Sequence, residues 1–151
     1  MVKVIGGERL EQALNELSKQ VGTGGIVRVG FLEDATYPDG TPVALVAAIQ
    51  EFGAPSRGIP PRPFFRGMIA AKSREWAPAM AWLLKMNKLN IHLTLEQTGI
   101  AVKGQLQEAI TKFVGAPLAP STIARKGHSK QLVDTGHMLN SVDYEVKDSD
   151  K

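Results

Sequence analysis

The chain of 151 residues contains no cysteine. That excludes a disulfide-stapled scaffold, a thiol nucleophile and any zinc site built on thiolate. Long apolar runs are missing too: Val43 to Ile49, among the longest, falls far short of the ~20 residues that cross a bilayer as a helix. The opening residues Met1-Val2-Lys3-Val4-Ile5-Gly6-Gly7-Glu8 hold no apolar core followed by a cleavage site, so no signal peptide is expected there and a reducing cytoplasm is the expected place of synthesis. What is present is an ordinary globular mixture, 43% hydrophobic and 22% charged, which argues against wholesale disorder. The length fits one domain. A compact monomer of 16.3 kDa would expose roughly 7,500 Å².

The net charge of +3 is unevenly placed. Residues 1–56 carry an acidic excess. Residues 57–90 hold seven basic groups against the single acid Glu75, and the remaining segments are balanced. The basicity therefore belongs to one central stretch, whereas a nucleic-acid face would be expected to draw cations from several elements.

Periodicity places the elements. Leu10, Ala13, Leu14, Leu17 and Val21 form one stripe of a helix over residues 8–21, stopped by Gly22, Gly24 and Gly25. Residues 26–32 read as a β-strand. After the turn Pro38-Asp39-Gly40, Thr41 is expected to cap a second helix with Pro42 at its first position, ending at Phe52-Gly53. Four prolines among residues 54–63 predict an extended segment, either a fixed connection or a docking arm. A third helix starts from Pro63, with a kink or break expected near Ala77 because Pro78 has no amide to donate. Thr94-Leu95-Glu96-Gln97 matches a capping box at the start of a fourth helix, whose stripe is Leu95, Gly99, Val102, Leu106, Ile110 and Phe113. A polar loop is expected over residues 118–131, then a short helical turn, the strand Val142 to Val146, and a charged tail over residues 148–151. The sum is one α+β domain over residues 1–147, a small antiparallel sheet with three to four helices packed on it. Two strands alone are marginal, so Val2 to Ile5 or Leu89 to Leu93 is expected to add a third.

No constellation reads as catalytic. Leu132-Val133-Asp134-Thr135-Gly136 matches the loop of aspartic proteases, where two aspartates share a proton. Only residues 137–151 follow it, too few for the enclosing strands, and a capped turn over residues 136–141 explains the same residues. His92, His128 and His137 lack metal-ligand spacing. Gly22-Thr23-Gly24-Gly25 precedes a strand and has no Gly-Lys-Ser/Thr, so it is not a phosphate loop. No cofactor is expected. Two segments are candidates for contact surfaces instead, although the basic loop also reads as a solvated mobile loop and Phe64 or Phe65 is expected to enter the core. Arg57, Pro60, Arg62, Phe64 and Arg66 lie on or beside the proline segment, and Arg125, Lys126 and Lys130 lie in the basic loop.

Taken in order, the strand ending Val-Arg-Val-Gly-Phe, the helix ending Ile-Gln-Glu-Phe-Gly-Ala, then Ile-Pro-Pro-Arg-Pro-Phe-Phe-Arg, then Gly-Ala-Pro-Leu-Ala-Pro-Ser-Thr-Ile-Ala-Arg-Lys-Gly, and finally Leu-Val-Asp-Thr-Gly-His-Met-Leu-Asn-Ser-Val-Asp-Tyr-Glu-Val resemble the tail-completion or neck proteins of long-tailed bacteriophages. These are also labelled virion morphogenesis, minor tail or head–tail joining proteins. The resemblance covers about residues 26–147. It implies a structural adaptor with no enzymatic activity, made in the host bacterial cytoplasm and resident in the virion. Such an adaptor forms a ring, typically sixfold, between the tail tube or tail-terminator protein and the head-closure or connector protein. A tail terminator or head-closure ring of the same particle is the near alternative, and a nucleic-acid-binding regulator the alternative from another class; no membrane is expected as a partner. Pro78 and the short charged C-terminus depart from the family pattern.

Overall fold

In the computed structural model, which describes residues 7–22 and 24–149, two strands far apart in sequence form the sheet and one helix supports it. Strand β1 (Gly25–Phe31) pairs antiparallel with β2 (Val142–Asp148), Val29 standing opposite Tyr144. A two-stranded ribbon is stable only when something covers a face, and helix α4 (Ile91–Lys112) does so. The close approach needs Gly99: a Cβ there would run into the Tyr144 ring. The Tyr144 hydroxyl then reaches across to donate to Glu96 at 2.7 Å. The α+β expectation holds, with more helix than foreseen.

The other helices are α1 (Gly7–Val21), α2 (Val43–Phe52), α3 (Phe64–Met86), α5 (Pro120–Lys126) and α6 (His137–Asn140). Helices α3 and α4 form the main helical pair. The core is Val43 and Ala47 of α2, Phe64 and Met68 of α3, Leu106 and Ile110 of α4, with Leu132, Met138 and Val142. Three of the six positions foreseen as the α4 stripe, Leu95, Leu106 and Ile110, are buried apolar side chains, and Gly99 lies on the same face. Burial of this apolar surface, at roughly 25 cal/mol per Å², holds the fold together.

Several expectations are corrected. Residues Leu89 to Leu93 are not a strand: α4 starts inside them, at Ile91. Val2 to Ile5 lies outside the described residues. Thr94-Leu95-Glu96-Gln97 is not a capping box, because Asn90 is the cap and its Oδ1 accepts the Leu93 amide at 3.0 Å. Thr94 sits a turn later, buried, donating its hydroxyl to the Asn90 carbonyl and accepting from Asn87 Nδ2. Of the kink or break expected near Ala77, the break does not occur: α3 continues through Pro78, which lies on its exposed side, where water can satisfy the carbonyl left without a donor. Thr41 does not cap α2; Pro42 holds the cap position, and the first amide, of Val43, donates to the Ala35 carbonyl at 2.9 Å. The loop foreseen over residues 118–131 contains α5, opened by Pro120 and closed by left-handed Gly127. Lys147 and Asp148 are paired with Ile26 and Gly25, so the last strand runs into the segment read as tail.

Candidate interface groove

The proline segment is a closed loop, not an extended arm. Residues 55–57 make a 3-10 turn, and Ala54 and Ile59 exchange backbone hydrogen bonds at 2.9 and 3.1 Å. The loop folds back on Gly53, whose φ is +76°. A Cβ there would stand 2.8 Å from the Ile59 carbonyl oxygen and 2.8 Å from the Pro61 nitrogen. Only glycine combines that backbone conformation with that contact. The sequence reading gave two options for this segment, and its geometry is that of a fixed connection.

Beyond the loop, Arg62 is anchored to α2. Its amide donates to the Gln50 carbonyl at 2.7 Å and its Nη1 to Gln50 Oε1 at 2.9 Å. Arg62 is 6% exposed, and its buried Nε meets no acceptor. Burial pulls its pKa below the usual guanidinium value. Among the described residues no carboxylate lies within ion-pair distance of it.

Arg62 lines an open groove of 1170 Å³. One wall comes from the turn after β1 and from α2, with Tyr37, Asp39 and Val46. Arg57, Ile59 and Pro60 of the proline loop continue that wall. Helix α5 and its approach line it as well, with Leu118, Thr122, Arg125 and Lys126. The floor is closed by residues 131–138, including Leu132, Asp134, His137 and Met138. Two segments more than fifty residues apart thus face one cavity. Its lining carries four cations, Arg57, Arg62, Arg125 and Lys126, against two anions, Asp39 and Asp134. Burial lowers the Lys126 pKa; Asp134 opposes that shift, and the nearby Arg125 and Arg62 add to it.

The Asp-Thr-Gly element builds the groove's floor. Asp134 and Thr135 are exposed. Thr135 Oγ1 accepts the His137 amide at 3.4 Å, and left-handed Gly136 opens α6. The His137 ring stacks on Tyr37 at 4.6 Å and donates Nε2–H to the Thr36 carbonyl at 2.8 Å. These contacts fasten the C-terminal segment to the turn after β1. Burial first, then Asp134 and Asp39, push the Tyr37 pKa up.

Of the residues singled out from sequence, Arg57, Pro60, Arg62, Arg125 and Lys126 share the groove. Lys130 lies outside its lining and exposed; its carbonyl accepts Lys126 Nζ at 2.7 Å. Arg66 points elsewhere, stacked over the Phe52 ring at 4.8 Å and paired with Glu51 at 2.8 Å. Phe64, one of the two phenylalanines of this segment that could enter the core, does so: at 2% exposure it packs beside Phe31 and Phe65 and is not on the groove. Buried Glu51 was missed. It accepts the amides of Phe65 and Arg66 and so caps α3, whose own cap residue, Pro63, supplies no side-chain bond. A carboxylate beside Phe-Gly at a helix end carries no local cue for this, because its partners lie fourteen and fifteen residues on.

Among the described residues, no group of three or more His, Asp or Glu side chains is arranged to hold a metal ion, and no helix is long and apolar enough to cross a membrane. Comparison with protein-family models, with curated proteins and with solved structures gave no match.

Proposed function

We propose that the chain is a non-enzymatic ring subunit at the tail–head junction of a long-tailed phage or prophage particle, completing the tail and joining it to the head connector. The observation that carries this reading is the groove. Of the segments expected to make contacts, residues 53–66 and 118–130, Arg57, Pro60 and Arg62 of the first and Leu118, Thr122, Arg125 and Lys126 of the second line it together, while Phe64, Arg66 and Lys130 do not. A closed ring requires heterologous contacts, in which one patch of a subunit meets a different patch of the next. A preformed, cation-lined groove on fixed loops is suited to that, since little order has to be imposed on binding. The partners in this reading are further copies of the chain, the tail tube or terminator, and the head-closure protein.

Charge reversal tests the assignment of the groove. Arg125 is exposed, so Arg125→Glu is expected to leave the monomer folded and to stop heads joining tails in a particle that depends on the mutant copy. Normal yields of joined particles from that variant would take the groove out of the junction.

A further inference from the structure

Helix α1 has an apolar face and no seat for it. Leu10, Leu14, Leu17 and Val21 are 62%, 55%, 41% and 37% exposed, and among the described residues α1 shares no extended packing with any other element. Its last turn approaches the body, where Lys19 and Val21 stand beside Asn90, Ile91 and Leu95 at the start of α4. A helix of 15 residues is marginal in water unless its apolar face is covered.

The groove is unfilled in the complementary sense. Its lining mixes apolar side chains, Val46, Ile59, Leu118 and Met138, with an excess of cations. At its base the guanidinium of Arg62 is buried with one nitrogen unpaired. A buried charge without a counter-ion is costly. No α1 residue lines the groove, so the same chain does not fill it. Helix α1 carries the opposite balance: Glu8, Glu11 and Glu16 against Arg9 and Lys19. Glu11 lies one turn before Leu14 and borders the apolar stripe, whereas Glu8, a further turn back, stands toward the polar side of the helix.

We propose that α1 of one copy docks in the groove of a second copy, its leucine stripe against the apolar lining and Glu11, at the edge of that stripe, facing the cations Arg62, Arg125 and Lys126. The contact is a helix in a groove. It is heterologous, because the patch each subunit gives differs from the patch it receives, so successive copies close a ring or propagate. This deepens the ring reading by naming the two patches and rests on that reading for its place in the particle. A nucleic-acid strand fits the groove less well, since its evenly spaced phosphates would meet Asp39 and Asp134.

The absence of cysteine makes the test clean. Three single-cysteine variants of the full chain are prepared: Leu14→Cys on α1, Thr122→Cys on the groove wall and Lys85→Cys on α3 as a control away from the groove. Circular dichroism checks that each is folded. The variants are mixed in pairs with a short bis-maleimide. Leu14→Cys with Thr122→Cys should give a mixed dimer at about ten times the yield of Leu14→Cys with Lys85→Cys. Adding Arg125→Glu to the groove copy should cut that yield, and adding Glu11→Lys to the α1 copy should restore it. Linkage of Leu14→Cys mainly to itself would mean that α1 pairs with α1 and would overturn the proposal. Equal yields with the control, or loss by Arg125→Glu without rescue, would overturn it too. These results do not touch the ring reading itself, which imaging of particles decides separately.

Discussion

Arg66 donates to Glu51 at three points: its amide and its Nε to Oε1 at 3.1 and 2.8 Å, and its Nη2 to the Glu51 carbonyl at 3.4 Å. With the Phe65 amide on Oε2 at 2.9 Å, the end of α2 becomes the cap of α3. The proline loop between them is thereby closed at both ends, and the groove wall it forms is fixed in place.

Glu51→Ala is therefore expected to cost about 2–3 kcal/mol, since it leaves two helix-terminal amides without an acceptor and removes a charge-assisted pair. Glu51→Gln keeps one acceptor oxygen and should cost less. Urea denaturation measures both. A loss below about 0.5 kcal/mol for the alanine variant, the scale of an ordinary surface change, would show that the clamp contributes little.

Two glycines of α4 separate packing from propensity. Gly99→Ala drives a methyl group into the Tyr144 ring, so α4 and the sheet must part, with an expected cost of about 1–3 kcal/mol. Gly104→Ala meets nothing within 4 Å and should stabilise by about 0.4–1 kcal/mol through helix propensity. Thermal melts of the two variants should move in opposite directions. Melts that move together would contradict the close packing of Gly99 on Tyr144.

Asn90→Ala should cost about 1 kcal/mol, the usual worth of a side-chain cap, because the Leu93 amide loses its acceptor. Hydrogen exchange at Leu93 should quicken in that variant. Unchanged protection there would argue that α4 starts where the Thr94 spacing suggested.

Both tyrosines hold their protons beyond the ordinary phenol value. Tyr144 does so chiefly through the hydrogen bond it donates to Glu96, and Tyr37 chiefly through burial, with Asp134 and Asp39 adding to it. A folded pKa above the unfolded one means that the native state binds the proton longer. That stabilisation is complete below the unfolded pKa of about 10 and is lost as pH rises through it toward the folded value. Absorbance at 295 nm should show both tyrosines ionising above pH 10, and stability should decline over the same range. Tyr144→Phe should flatten part of the decline. An unaltered slope would remove the Glu96 bond from the account.

The sequence revealed what is written locally. The α4 stripe, Gly53 as the stop of α2, and both paired strands could be read from periodicity and turn residues, because a 3.6-residue or alternating pattern states which face is buried. The starts of α2 and α4 were misplaced for one reason. Thr41 and Thr94 have the right residue type for caps, but the amides in question are satisfied by the Ala35 carbonyl and by Asn90. The missed α5 had its signals, Pro120 and Gly127, obscured by the polar run around it. The groove could be anticipated only as two separate basic segments. Their meeting depends on the long return from α4 to β2, and the Glu51 clamp links residues with no shared pattern. The exposure of the α1 stripe was equally hidden, since an amphipathic stripe shows that a helix has an apolar face and not what covers it.

The central claim is the proposed role at the tail–head junction, and the most direct measurement is deletion of the gene from the phage or prophage that this reading calls for, followed by electron microscopy of the induced lysate. The account predicts filled heads beside unattached tails, with joined particles restored by the wild-type copy and not by Arg125→Glu. Normal, infectious particles from the deletion would contradict it.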